Sequence, residues 1–434
     1  MEDWRNGGFG LYIHWPFCAA KCPYCDFNSH VSAAIDQEKW RDAYVSEIRR
    51  FAKLTEGRVL QSVYFGGGTP SLMDPALIES ILSEVRANWP LSNDIEITLE
   101  ANPTSVESDR FAGYRKAGVN RVSMGIQALN NADLKALGRL HSVEEALAAL
   151  DVARSVFDRV SFDLIYARQN QTLPDWKDEL RKAIECAGDH LSLYQLTIES
   201  GTAFGDRYNA GKLRGLPDDD LSADMFELTQ EICNEAGFPA YEVSNHAKPG
   251  HESRHNMIYW RYGDYVGIGP GAHGRLTIDG QRFATETVLS PNKWLDMVSS
   301  TEIGTHRPEP LSLDDQAAEL LLMGLRTVEG ISIARLTALE GEKYLSNIND
   351  LVDLDLLQCD EGVMRATAKG RPVLKAVSRR TRGAPRGAVG ALSGPSPGAV
   401  TAALPEEQHD RGKRGDGRRA LEGADLGDSG RGAP

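Results

Sequence analysis

The 434-residue sequence has no apolar run of the ~20 residues that a membrane-crossing helix requires, and its mean hydropathy is -0.37. It lacks an excess of positive charge. Against 62 Asp and Glu there are 48 Lys and Arg, a formal net charge of -14, which excludes a general affinity for nucleic acid backbone. Met1–Asn6 carries acidic residues and no apolar h-region, so no secretory signal is expected and the expected location is cytoplasmic. Cysteine is scarce, with six residues, and shows no disulfide framework, as befits a reducing compartment. Cys186, Cys233 and Cys359 are scattered and read as small buried hydrophobes.

The other three cysteines fall within eight residues, Cys18-Ala-Ala-Lys-Cys22-Pro-Tyr-Cys25, directly after a strand-like segment. Thiolates are the ligands of iron–sulfur clusters. Three of them hold three irons of a cubane and leave the fourth iron an open position. Two other readings compete. Cys22-Pro-Tyr-Cys25 alone is a C-x-x-C of dithiol redox type, which leaves Cys18 without a role. With His14, the three cysteines would also satisfy tetrahedral zinc.

Strand-like and helical stretches alternate from the start. Strands are expected at Gly10–His14, Val59–Phe65, Ile95–Glu100, Arg121–Gly125, Val160–Ile165 and His190–Thr197. Helices between them are expected near Asp36–Leu54, Pro75–Trp89, Ser108–Ala117, Asn131–Val156 and Leu173–Ala187. Six βα units in succession predict a parallel sheet with crossover helices, either an open doubly wound sheet or a full or partial barrel. Ligand sites in both gather at the carboxyl ends of the strands. Those ends carry Tyr12 and the cysteines, Gly66-Gly67-Gly68-Thr69-Pro70, Glu100, Gln127, Asp163 and Gln195. Taken alone, the glycine run is also explained by a tight turn, and a buried carboxylate by a satisfied loop.

The stretch Tyr12-Ile-His14-Trp-Pro16-Phe-Cys18 through Cys25-Asp26-Phe-Asn-Ser-His30 resembles the cluster motif of radical SAM enzymes. Within them it is similar to the branch that holds oxygen-independent coproporphyrinogen III oxidases and HemW-type haem chaperones. The resemblance runs from about Leu11 to Val377. It implies an incomplete parallel (β/α) barrel, a 4Fe-4S cluster on Cys18, Cys22 and Cys25, and S-adenosylmethionine (SAM) at the open iron. It also implies a SAM shell of Tyr12, Tyr24, Gly67, Gly68, Thr69, Glu100, Gln127, Arg139, Asp163 and Gln195. One departure is Ala167-Arg-Gln-Asn-Gln171, where the relatives carry a Gly/Pro-rich turn.

Further on, a helix is expected at Asp218–Ala236 and a strand at Ala240–Val243, followed by His255-Asn256-Met-Ile-Tyr259-Trp260 and the glycine-rich Tyr265–Gly274. The first of these motifs resembles the H-N-x-x-Y-W segment of HemW-type proteins. By that resemblance His255 is the haem ligand and Tyr259 and Trp260 line the ring; His273, on the adjacent glycine-rich loop, is the next candidate. From about Arg307, short helices near Leu313–Leu325, Ile331–Leu339 and Leu345–Leu354 and two short strands about Glu361-Gly362 suggest a small winged-helix-like domain. Asp350, Asp353, Asp355, Asp360 and Glu361 argue against nucleic acid there. The expected organisation is a core over 1–245, a connecting segment over 246–305, a small domain over 306–378, and a Gly/Pro/Ala/Arg-rich disordered tail over 379–434.

Two functions follow from the resemblance. One is a haem chaperone with haem as cargo and haem-accepting proteins as partners, as a monomer or homodimer. The other is radical decarboxylation of coproporphyrinogen III. The oxidases of this branch have a fourth cysteine two residues beyond the third, where this chain has Asp26-Phe27, and they lack H-N-x-x-Y-W. Both differences favour the chaperone.

Overall fold

The strands of the core alternate polar and apolar residues, which is unusual for parallel strands covered on both faces. In β1 (Phe9–Trp15), Leu11 and Ile13 are buried against helices while Tyr12 and His14 point the other way. The pairing register lines up the same alternation across neighbours. Tyr12 lies beside Tyr64 of β4 (Leu60–Gly67), Tyr64 beside Thr98 of β5 (Leu91–Ala101), and Glu100 beside Ser123 of β6 (Arg121–Gln127). Ser123 lies beside Ser161 of β7 (Arg159–Tyr166), and Asp163 beside Ser192 of β8 (His190–Gln195). One face of the sheet is therefore a continuous polar surface, and the other is the main hydrophobic core.

The chain is described by a computed structural model over residues 2–32, 35–104, 109–345 and 348–374. The tail over 379–434 lies outside the described residues, as do Ser108 and two residues of the expected helix Leu345–Leu354. Two-residue strands β2 (Phe17–Cys18) and β3 (His30–Val31) pair with each other and bracket the cysteine loop. The main sheet has eleven strands and stays open. Its parallel centre, β1 and β4 to β8, is joined on the β1 side by β10 (Asp264–Ile268). Beyond β10 come the antiparallel strands β11 (His273–Ile278), β12 (Gln281–Glu286) and β13 (Glu309–Pro310). At the far edge β9 (Asn245–Ala247) runs antiparallel to β8. This is the incomplete parallel barrel that the resemblance implies. Helices such as Gln37–Leu54, Pro75–Asn88, Val143–Val156 and Leu173–Glu185 cover its apolar face. None of the helices is long and apolar enough to cross a membrane.

Two expectations are corrected. The strand expected at Ala240–Val243 is displaced to Asn245–Ala247, leaving only isolated bridges at Ala240 and Glu242. Glu242 is committed elsewhere, accepting from the Asn245 side chain at 2.6 Å and from Arg326 at 3.0 Å. The glycine-rich Tyr265–Gly274 is more than a turn. It contains β10, where a Cβ on Gly267 would stand 2.0 Å from the His273 carbonyl, so the glycine lets the hairpin strand approach closely.

The C-terminal part has its own core. Tyr262, Leu320, Leu336, Leu351 and Met364 gather there with helices Leu313–Gly324 and Ile333–Ala338 and a three-stranded sheet of β14 (Ile331–Ser332), β15 (Leu357–Asp360) and β16 (Val363–Ala366).

Candidate functional site

The carboxyl ends of β1 and β4 to β8 open onto one cavity. It is lined by Cys18, Cys22, Tyr24, Cys25, Gly67, Gly68, Thr69, Glu100, Gln127, Arg139, Asp163 and Gln195. The structure thus brings together every residue expected for cluster and SAM except Tyr12. That residue lies one layer below, against Tyr64 and His14, with ring centroids at 6.3 and 5.9 Å.

The cysteine loop is sewn to its surroundings by its backbone. Gly68 N donates to Trp15 O at 2.7 Å, Thr69 N to Phe17 O at 2.8 Å, and Phe204 N to Pro23 O at 2.8 Å. A Cβ on Gly68 would stand 2.5 Å from Phe17 O, and Gly67 has φ +113° with no room beside the His14 ring. The glycine run is therefore needed for packing against the cysteine strand, and it also leaves bare backbone at the cavity wall. His14 holds the loop from below, its Nε2 donating to Asn28 O at 2.9 Å and its Nδ1 accepting from Tyr12 OH at 3.0 Å.

These bonds bear on the zinc reading, because both ring nitrogens of His14 are engaged. Among the described residues, no three His, Cys, Asp or Glu side chains are grouped closely enough to hold a single metal ion. Three free thiols on one cavity wall suit a cubane better, where each iron takes its own thiolate. Arg139 fits an anionic guest. It donates to Cys22 Sγ at 3.3 Å, Asn102 Oδ1 at 2.6 Å and Gly125 O at 2.8 Å, while its buried Nε has no partner. Thr69 Oγ1 donates to Cys18 Sγ at 3.4 Å. Burial pushes the Cys18 thiol up and the Cys25 thiol up to about 12.

Two carboxyls face this cavity from adjoining levels of the polar face. Glu100 accepts from Tyr64 OH at 2.7 Å and Gly67 N at 3.2 Å, and burial raises it to about 7. Asp163 accepts from Ser123 Oγ at 3.4 Å and is raised by burial to about 6. Gln127 sits at φ +75°, an uncommon conformation for a non-glycine residue, where the β6–β7 register shifts.

The chain reading missed Asn102, Ser123 and Tyr194, which share the cavity. Asn102 follows Glu100 by two residues and was open to detection as the next polar group on the same strand end. Ser123 and Tyr194 gave no signal beyond their strand positions.

His255, Tyr259 and Trp260 do not line this cavity. They form the short helix Arg254–Trp260, capped by Ser253 Oγ, which lies on the polar face of the sheet with residues 255–260 all buried. His255 is 3% exposed, and its ring stacks on Tyr64 at 4.1 Å and stands 5.9 Å from Tyr12 and 4.5 Å from Tyr259. His273 lies on β11, 3.4 Å from Glu286, and burial lowers it to about 4. In the divergent loop, Arg168 is buried and pairs with Glu179 at 2.6 Å and Asp133 at 2.8 Å, while Ala167 and Asn170 adopt positive φ.

Residues 12–183 match the Radical SAM superfamily, and residues 311–373 match the HemN C-terminal domain. The chain is 39% identical over 376 residues to radical S-adenosyl methionine domain-containing protein 1, mitochondrial, of Bos taurus, covering 84% of this chain and 85% of the relative. It is 44% identical over 291 residues to heme chaperone HemW of Escherichia coli (strain K12), covering 66% and 75%. With heme chaperone HemW of Mycobacterium tuberculosis it shares 35% identity over 379 residues, covering 86% and 95%. The solved structure of coproporphyrinogen III oxidase (HemN) from Escherichia coli, a radical SAM enzyme, superposes with a TM-score of 0.73 at 23% identity, covering 86% of this chain and 90% of that one, which shows the shared fold. Radical SAM membership implies a 4Fe-4S cluster and SAM, which the thiols, bare glycine backbone and carboxyls of the cavity suit. On its fold, its two matched domains and relatives of which it covers 85% and 95%, the chain belongs to the HemW-type branch of the radical SAM superfamily.

Proposed function

We propose that this protein is a haem chaperone, which binds haem and passes it to acceptor proteins. The observation that carries the reading is the His255-Asn256-x-x-Tyr259-Trp260 helix, seated on the inner face of the sheet directly below the SAM-type cavity. Its support is the name shared by the bacterial relatives, and the presence of Asp26 and Phe27 on the cavity wall where the oxidases carry a further thiol. Cys18, Cys22 and Cys25 would hold the cluster, and the cluster with SAM would supply reductive cleavage of the sulfonium. Gly67, Gly68 and Thr69 would take the methionine end, Glu100 the ribose, and Arg139 the negative charge, with Tyr24, Gln127, Asp163 and Gln195 around them. Tyr12 supports this shell through His14. His255 would ligate haem iron with Tyr259 and Trp260 against the ring. Because its imidazole is enclosed by Tyr64 and Tyr12, that ligation requires the helix to withdraw from the sheet. A reducing cytoplasm suits the free thiols, and no contact with nucleic acid is invoked.

The deciding experiment offers the cluster-loaded protein haemin and, separately, coproporphyrinogen III with SAM and reductant. A stable, shifted Soret band without protoporphyrinogen formation is expected. Efficient decarboxylation without haem binding would reverse the reading in favour of the oxidase.

Glu100 gives this reading a pH dependence. A carboxyl raised to about 7 by burial is largely protonated at pH 6, so the charged acceptor for a ribose hydroxyl forms only as pH rises through 7. SAM affinity, followed by equilibrium dialysis, is expected to increase from pH 6 to pH 8 in the wild type and to stay flat and weak in Glu100→Gln. Stability moves the opposite way. The folded state holds this proton more tightly than the unfolded chain, so the contribution is full below the unfolded value and is lost as pH rises through the folded one. Glu100→Gln is therefore expected to melt higher than wild type at pH 8 in the absence of SAM.

A further inference from the structure

Asn102 stands between the groups that reach two of the three cluster thiols. It follows the end of β5 and lines the carboxyl-end cavity. Its side-chain oxygen accepts from Arg139 Nη2 at 2.6 Å, and its side-chain nitrogen donates to Thr69 Oγ1 at 3.2 Å. Each of these two partners makes a further bond to sulfur. Thr69 Oγ1 donates to Cys18 Sγ at 3.4 Å, and Arg139 Nη1 donates to Cys22 Sγ at 3.3 Å. One hydrogen-bonded chain therefore runs from Cys18 through Thr69, Asn102 and Arg139 to Cys22, with Asn102 at its centre.

The polarity of the Asn102 amide fixes the direction of that chain. A guanidinium can only donate, so it takes the amide oxygen and turns the amide nitrogen toward Thr69. The Thr69 hydroxyl accepts this N–H, which leaves its own proton for the Cys18 sulfur. Arg139 is aimed by the same contact. It leaves the loop after the helix Asn131–Ala136, where Gly138, at φ +70°, packs so closely on the cysteine loop that a Cβ would stand 2.6 Å from the Pro23 ring. Asn102 Oδ1 and the Gly125 carbonyl, at 2.6 and 2.8 Å, are both neutral acceptors. They direct the guanidinium without cancelling its charge.

Hydrogen bonds and positive charge at the sulfurs of an iron–sulfur cluster favour its reduced, more negative state and so raise its reduction potential. We propose that Asn102 is a positioning residue that sets this potential, by holding the Thr69 hydroxyl on Cys18 and the Arg139 guanidinium on Cys22. The inference rests on the cluster assignment and goes beyond it, since Asn102 supplies no ligand to iron and acts only through the two donors that it orients. Asn102 thereby governs how readily the site accepts an electron.

The test is a potentiometric measurement on the full-length, anaerobically reconstituted protein, followed through the paramagnetic resonance of the reduced cluster, with iron and sulfide counted in each sample. Asn102→Leu, of similar size, loses both bonds. Its reduction equilibrium is expected to fall roughly tenfold, about 59 mV for a one-electron couple. Asn102→Asp keeps an acceptor for Arg139, but its carboxylate offsets the guanidinium charge and cannot donate to Thr69, so its potential is expected to fall at least as far. A purely structural role predicts a wild-type potential for this near-isosteric change. Thr69→Val should lower the potential by itself, and combined with Asn102→Leu it should lower it by less than the sum, because the two changes break one shared bond. Wild-type midpoints in fully loaded Asn102→Leu and Asn102→Asp would overturn the proposal. If Asn102→Leu loads no cluster, a wild-type midpoint in Asn102→Asp overturns it alone. Wild-type protein that takes up no iron and sulfide would instead remove the cluster assignment beneath it.

Discussion

Replacing any one of Cys18, Cys22 and Cys25 by Ser is expected to yield folded protein that carries no cluster. Each thiol sits partly exposed on the wall of the carboxyl-end cavity, outside the main core, so the hydroxyl costs the fold little. The site has only three thiolates to give, and losing one leaves a second iron without a protein ligand. After anaerobic reconstitution the wild type should hold about four iron and four sulfide per chain. The three variants should show neither the visible absorption nor the sulfide, with unchanged far-ultraviolet dichroism. Cys186→Ser and Cys359→Ser are the controls and should retain the cluster. Cys233→Ser should also retain it but melt lower, because that thiol is packed in the core at 0% exposure. Stoichiometric zinc without sulfide in protein purified away from oxygen would overturn the assignment.

The cluster loop and the residues at the carboxyl ends of the strands were legible because their signals are local. Three cysteines at fixed spacing, a glycine triplet after a strand and an acid closing the next strand can each be recognised within a few residues. What escaped reading depends on contacts distant in sequence. The helix Arg254–Trp260 is seven residues long, too short to be stable by propensity, and exists because it packs on β4 and is capped on its first backbone amides. Strand β10 hides behind glycines whose purpose is the closeness of another strand. The divergent loop after Tyr166 lacks the glycine and proline that would mark its turn. The structure shows a buried arginine, Arg168, tying it to two neighbouring helices instead. Polar residues inside parallel strands were visible as alternation, yet their mutual pairing was not, since the partners lie 23 to 159 positions apart.

Glu96 is the strongest example, and its removal is expected to be the most damaging single change to the fold. It stands at the middle of β5 at 3% exposure, on the polar face. One carboxylate oxygen takes Arg159 Nη1 at 2.6 Å and lies 3.9 Å from Arg121 Nε. The other takes the backbone amide of Arg254 at 3.0 Å, that of His255 at 3.4 Å and Ser253 Oγ at 3.4 Å. A single side chain thus neutralises a buried arginine and anchors the start of the helix that carries His255. Glu96→Ala removes the only carboxylate within 4 Å of Arg121 among the described residues, a side chain 2% exposed, and frees the helix amides. Breaking one partner out of a buried ion pair costs roughly 3–5 kcal/mol. In calorimetry the unfolding midpoint should fall by roughly 4–6 °C. Glu96→Gln keeps an acceptor for the amides and loses only the charge, so it should fall between the two. Limited proteolysis separates anchoring from general weakening. With the helix unlatched, cleavage between Gly250 and Gly263 should accelerate in Glu96→Ala more than cleavage elsewhere. Because haem ligation by His255 requires withdrawal of this helix, Glu96→Ala should also bind haemin faster than wild type at temperatures where it remains folded. An unchanged melting point in Glu96→Ala would show that Arg121 and the helix are held by other groups.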